Sequence, residues 1–169
     1  RKGLVPTKKW KLDTKGTKWT PGETINSSIG QGYMLSSPVE LATMVARIAN
    51  SKNLVEPTLL TNSKKSFSKL DINLNHLNYI KKAMHNVVNS EFGTAYKSKL
   101  NLADIKMAGK TGTVQVIRIS EEEREKGITK NKDREWKKRD HALFIGYAPI
   151  QKPKYAICVI VEHGGSGSS

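Results

Sequence analysis

Cysteine is almost absent from this chain of 169 residues, and the single one, Cys158, excludes an internal disulfide. Its setting, Ile157-Cys158-Val159-Ile160-Val161, predicts a small buried hydrophobe rather than a nucleophile. Long apolar runs are also missing. No stretch of 18 or more apolar residues occurs, so no membrane-spanning helix is predicted within these residues. Arg1-Lys2-Gly3-Leu4-Val5-Pro6 lacks the apolar centre of a signal peptide. Acidic side chains are the third shortage: 15 against 29 basic ones give a formal charge of +14. Such a charge first suggests nucleic acid, since lysines release counterions from phosphates. Arginine, the better bidentate reader of bases and phosphates, is scarce beside lysine. The lysines are scattered, with no interleaved aromatic platform for stacking bases. Nucleic acid is therefore not the expected partner, and a basic surface near an anionic membrane or polymer is the simpler expectation. His76 and His85 stand nine apart and do not share a helix side, so no metal site is expected from them.

What is present suffices for one domain or part of one, with 37% hydrophobic residues. Residues 1–28 are turn-rich and basic, and predict an irregular or hairpin-like segment pinned by Trp10 and Trp19. Gly30-Gln31-Gly32-Tyr33 predicts a backbone turn. Ser37-Pro38-Val39-Glu40 then supplies an N-cap serine, a proline at the first helical position and a glutamate three after the cap. Leu41, Met44, Val45 and Ile48 follow at helical spacing, which predicts a buried helix from Pro38 to Asn50. Leu54 to Leu60 is a short extended piece demoted by Pro57, and Thr61 to Ser68 a polar loop. A second amphipathic helix puts Leu77, Ile80, Met84, Val87 and Val88 inward with Lys81, Lys82 and Asn86 outward, ending at Gly93. Strands are predicted at 109–119, 141–148 and 154–162, the last two joined by the hairpin Ile150-Gln151-Lys152-Pro153 and both covered on two faces. Between the first two, 120–140 is a charged excursion whose default is a solvated surface. The fold class is α+β, an antiparallel meander of three main strands with packed helices.

The stretch with chemical content is Ala108-Gly109-Lys110-Thr111-Gly112-Thr113-Val114. Gly109-Lys110-Thr111 is not a phosphate-binding P-loop, because that loop needs a glycine where Asp104 stands and a helix where Val114-Gln115-Val116-Ile117 reads as strand. A lysine with hydroxyls on a strand edge has another use. Lys110 and Thr113 can hold a ligand carboxylate by charge and hydrogen bond, Gly112 admits a peptide-like ligand to the edge, and strand N–H groups can polarise a carbonyl.

Taken in order, Gly30-Gln31-Gly32-Tyr33, Ser37-Pro38-Val39-Glu40, Ile80 to Val88 with Gly93-Thr94-Ala95, the strand from Gly109, and Glu162-His163-Gly164-Gly165 resemble the monofunctional, class B penicillin-binding transpeptidases across nearly the whole chain. That family carries Ser-x-x-Lys, Ser-x-Asn or Ser-x-Asp, and Lys-[Ser/Thr]-Gly motifs. Only the third maps here, onto Lys110-Thr111-Gly112. Ser66-Phe67-Ser68-Lys69 and Ser51-Lys52-Asn53 fit the first two as strings, yet both follow Gly-Gln-Gly, whereas in the family they precede it.

The resemblance implies an incomplete penicillin-binding/serine β-lactamase-like fold, with residues 1–169 as the C-terminal part of one transpeptidase domain that lacks its nucleophile. By resemblance, Lys110 supplies positive field, Thr111 and Thr113 contact the substrate carboxylate beside Gly112, and the Thr113 amide is an oxyanion donor. It implies a parent anchored in the inner membrane with this domain in the periplasm. Peptidoglycan stem peptides and β-lactams would be its ligands, the cell-wall elongation machinery its partners, and no cofactor or metal would be needed. A penicillin-sensing or non-catalytic peptidoglycan-binding homologue is the alternative, and a serine β-lactamase a weaker one.

Overall fold

In a computed structural model, residues 2–60, 66–102, 104–117, 120–127 and 130–168 are described. The first part of the polar loop, 61–65, and the expected end of the first strand at 118–119 lie outside them.

Two short helices occupy the segment expected to be irregular. α1 (Lys8–Lys15) is capped by the Thr7 side chain, which accepts from Trp10 N, and stops at Gly16 with φ 68°. α2 (Pro21–Ser28) starts with Pro21 behind Thr20, whose N–H donates to Glu23 Oε2 at 2.7 Å. Lys11 ties the two together. Its side chain is buried, donates to Lys18 O at 2.7 Å, and forms an ion pair with Glu23 at 2.6 Å. Trp10 does pin the segment, edge to face with Tyr33 at 5.4 Å between centroids.

α3 (Pro38–Asn50) has the expected bounds. Ser37 Oγ accepts from Glu40 N while Ser37 N donates to Glu40 Oε2. Glu40 also accepts from Gly3 N at 2.9 Å, so the same carboxylate closes the N-terminal segment onto the helix. Glu23 is held below the ordinary glutamate range first by its hydrogen bond from Lys11 and then by the Thr20 amide, and Glu40 by the amides of Ser37 and Gly3. A pKa depressed on folding contributes stability that is complete above the unfolded value, about 4.3, and is lost as pH falls through the folded value. Denaturation midpoints of the full-length protein should therefore fall on acidification below about pH 4.3. Glu40→Gln should flatten that slope in proportion, and an unchanged slope would remove this carboxylate from the account.

α4 (Leu74–Asn89) buries Leu77, Met84 and Val88 as its periodicity required. Lys81 corrects the expected outward face: its Nζ reaches Ala49 O at 3.2 Å and Ser51 Oγ at 3.1 Å, closing the C-terminus of α3 where carbonyls collect negative potential. Ile80 is 43% exposed instead. The helix ends at Ser90, not at Gly93. Gly93 serves close approach, since a Cβ there would lie 2.2 Å from Val87 O.

The sheet has the order β1 (Ala108–Val114), β2 (His141–Ala148), β3 (Tyr155–Val161), all antiparallel. β1 is shorter than expected because β2 begins at His141, opposite Val114, and offers no partner beyond it. Val116 N turns to the Asp140 carboxylate instead, at 3.3 Å. The core joins Val45 and Ala49 of α3, Met84 of α4, Ala108 of β1 and Tyr147 of β2, with Ala156 of β3 packed against it. β3 is not covered on both faces as its apolar run suggested. It is an edge strand among the described residues, and Ile157, Val159, Ile160 and Val161 are exposed. Cys158 is only half-buried, and that burial pushes its thiol pKa up, which keeps it protonated and unreactive.

The excursion at 120–140 is only partly a solvated surface. α5 (Glu121–Glu125) is followed by 3₁₀ turns at Asn131–Asp133 and Trp136–Lys138. Asn131 is its anchor: it accepts from Asp140 N at 2.9 Å and donates to Asp140 Oδ2 and Gly165 O at 3.1 Å each. Arg134 is buried, 4.0 Å from Asp140.

A candidate ligand cleft on strand β1

Among the described residues, β1 has β2 on one side and an open edge on the other. Along an antiparallel strand a residue's N–H and C=O point the same way, and the direction alternates. The carbonyl of Thr113 points outward, where Gln31 Nε2 donates to it at 3.1 Å. Its N–H therefore faces the open edge too. Two residues back, Thr111 O also faces that edge and accepts from Lys110 Nζ at 2.5 Å. The lysine ammonium is thus laid along the same edge as the outward amide, with the Lys110 residue itself exposed.

The two hydroxyls differ. Thr111 is buried, and its Oγ1 lies 2.9 Å from Thr94 Oγ1. Thr113 is exposed, and its Oγ1 accepts from Gly167 N at 3.4 Å. Thr94 is brought there by the tight turn at Gly93, and Gln31 by the Gly30 and Gly32 turn, both glycines at positive φ of 75° and 76°. These residues enclose a cleft of about 380 Å³, lined by Lys110 to Val114, Gln31, Thr94, Ser166 and Ser168. The four residues singled out in the sequence are therefore in one place. A Cβ at Gly112 would face Leu143 at 3.3 Å, so this glycine also serves the packing of β1 on β2.

The Gln31 side chain, Thr94 and the 166–168 segment escaped the sequence reading. Gly-Gln-Gly, read as a turn, and Gly-Thr-Ala entered the family resemblance as strings without a role for the Gln31 or Thr94 side chain, and Gly-Ser composition signalled only flexibility. The two rejected strings lie elsewhere. Ser66 and Lys69 are exposed, with Lys69 bridged to Asn53, and Ser51 Oγ is engaged by Ile48 O and Lys81 Nζ. A larger cavity of about 650 Å³ lies beside α3 around Met44, Ile48 and Leu77 and includes no residue of β1.

A basic, hydroxyl-bearing strand edge on an antiparallel sheet backed by two helices is the arrangement of the serine acyl-transferases that bind penicillin. The chain belongs to the penicillin binding protein transpeptidase domain family, which it matches over residues 2–169. Within that family it is similar to the peptidoglycan D,D-transpeptidase MrdA of Acinetobacter baumannii, 36% identical over 178 residues covering 99% of this chain and 25% of that protein. MrdA of Escherichia coli K12 is 30% identical over 179 residues, covering 99% and 27%. Among solved structures it resembles the penicillin-binding protein PBP2 of Helicobacter pylori in complex with MreC, with TM-score 0.83, 34% identity, and 98% of this chain against 28% of that one. Pseudomonas aeruginosa PBP2 in complex with WCK 5153 gives TM-score 0.74 and 32% identity over 99% of this chain and 34% of that one. The chain thus spans about a quarter of the length of the curated relatives it matches.

Proposed function

We propose that the protein carrying this chain is a peptidoglycan D,D-transpeptidase, and that residues 1–169 are the C-terminal portion of its transpeptidase domain. The observation that carries the reading is the open edge of β1, where the Lys110 ammonium, the outward Thr113 N–H and the Thr113 hydroxyl converge on one cleft. A serine outside this chain attacks the penultimate D-Ala carbonyl of a stem peptide. Its proton passes to a base, the tetrahedral oxyanion collapses, and D-Ala leaves with a proton on its nitrogen. An amine from a second stem then displaces the serine and completes the crosslink. The Thr113 N–H is placed to stabilise the oxyanion. Lys110 and Thr113 hold the terminal carboxylate. β-Lactams, which present a carboxylate and a strained amide, acylate the same serine.

The domain works in the periplasm on a parent anchored in the inner membrane. A wall-elongation partner of the MreC kind is supported by the Helicobacter pylori relative.

Labelling with a fluorescent penicillin tests this. The full-length protein is expected to be labelled and to crosslink stem peptides, while residues 1–169 alone remain unlabelled. Labelling without crosslinking would favour a sensor, and labelling at Ser66 would overturn the placement of the nucleophile.

A further inference from the structure

The orientation of the Thr113 hydroxyl is set from outside its strand. This inference rests on the ligand role proposed for β1. A hydroxyl has one proton to donate and two lone pairs. Gly167 N donates to Thr113 Oγ1, which occupies one lone pair and turns the O–H away from that amide. From the other side, Gln31 fixes the carbonyl of the same residue. The segment carrying Gly167 sits against the sheet so closely that a Cβ there would lie 2.3 Å from Gly112 O and 2.5 Å from Leu143 O. Both are backbone atoms held in the β1–β2 ladder, where Gly112 pairs with Leu143. Only glycine occupies that seat without lifting the segment. Ser166 and Ser168, on either side, line the same cleft.

We propose that Gly167 is a positioning residue: its amide presets the Thr113 hydroxyl as a donor into the cleft, and this gives the site its preference for ligands with a free carboxylate. The carboxylate accepts that hydrogen bond as an anion, whereas an ester does so only weakly. Without the Gly167 amide the hydroxyl rotates among several partners, and discrimination falls.

The test uses the full-length protein, with acylation rate constants for benzylpenicillin and its methyl ester compared in the wild type and four variants. The ratio of free acid to ester is expected to fall about tenfold in Thr113→Val, by a similar factor in Gly167→Ala, and no further in the double variant. Thr113→Ser should keep it. An unchanged ratio in Thr113→Val defeats the ligand role of the strand itself. Loss in Thr113→Val with an intact ratio in Gly167→Ala, or additive losses in the double variant, defeats the positioning role alone. Amide hydrogen exchange gives a readout that needs no change at residue 167. The Gly167 N–H should exchange about tenfold faster in Thr113→Val, where its acceptor is gone, and unchanged protection overturns the inference.

Discussion

Lys110→Ala in the full-length protein is expected to lower the rate constant for acylation by penicillin by ~100-fold or more, with no matching loss of stability. The magnitude follows from what a preorganised charge is worth when removed from a site where negative charge develops, roughly 100- to 1000-fold. The lysine is exposed and its side chain contacts the carbonyl of the next residue, so its removal leaves no cavity and no buried orphan. A structural role would show in the denaturation midpoint, and a functional one in acylation alone. Lys110→Arg should recover only part of the rate, because a planar guanidinium replaces a compact ammonium and cannot take the same place beside Thr111 O. Acylation of Lys110→Ala at the wild-type rate would remove β1 from the site.

Tyr147→Ala is expected to cost about 3–5 kcal/mol of folding stability, measured by denaturant titration, the range for truncating a large buried aromatic. Tyr147 is 1% exposed and joins β2 to both neighbours, opposite Ala108 of β1 and Ala156 of β3. It packs in the same cluster as Val45 and Ala49 of α3 and Met84 of α4. Its ring therefore fixes the sheet to both helices, opposite the β1 residue that stands two before Lys110. Its hydroxyl is different, being buried with no hydrogen-bond partner among the described residues, and burial raises its pKa. Tyr147→Phe should thus be neutral or stabilising, since an unpartnered buried hydroxyl costs about 1–3 kcal/mol of desolvation. If phenylalanine proved as damaging as alanine, the hydroxyl would have a partner, and the packing account of this residue would fail.

The helices with a strong local signal were legible in the sequence. Ser37-Pro38-Val39-Glu40 announced α3, and the spacing of Leu77, Met84 and Val88 announced α4. The same start signal stands in Thr20-Pro21-Gly22-Glu23, yet α2 was not expected there. Gly22 at the second position and the lack of an apolar stripe weaken it, and what holds α2 is tertiary, the half-buried Glu23 paired with the buried Lys11 of α1. Periodicity has no means of reporting such a bond. β3 failed in the opposite sense: an apolar run reports that a strand could be covered on both faces, not that anything covers it. At the cleft, Lys110 to Thr113 were visible because chemistry and strand pattern coincide in one tetrapeptide. Gln31, Thr94 and Gly167 act on that strand from 82, 17 and 54 residues away in sequence. Only the fold brings them there, and small residues such as Gly167 declare their purpose only once the atoms they must approach are known.

In the proposed function, the edge of β1 receives the carboxylate of a peptide-like ligand. A crystal structure of the full-length protein acylated by benzylpenicillin tests it most directly. The ligand carboxylate is expected within hydrogen-bond distance of Thr113 Oγ1 and near Lys110 Nζ, with the acyl oxygen on the Thr113 N–H. A carboxylate held by other residues, with β1 untouched, would contradict it.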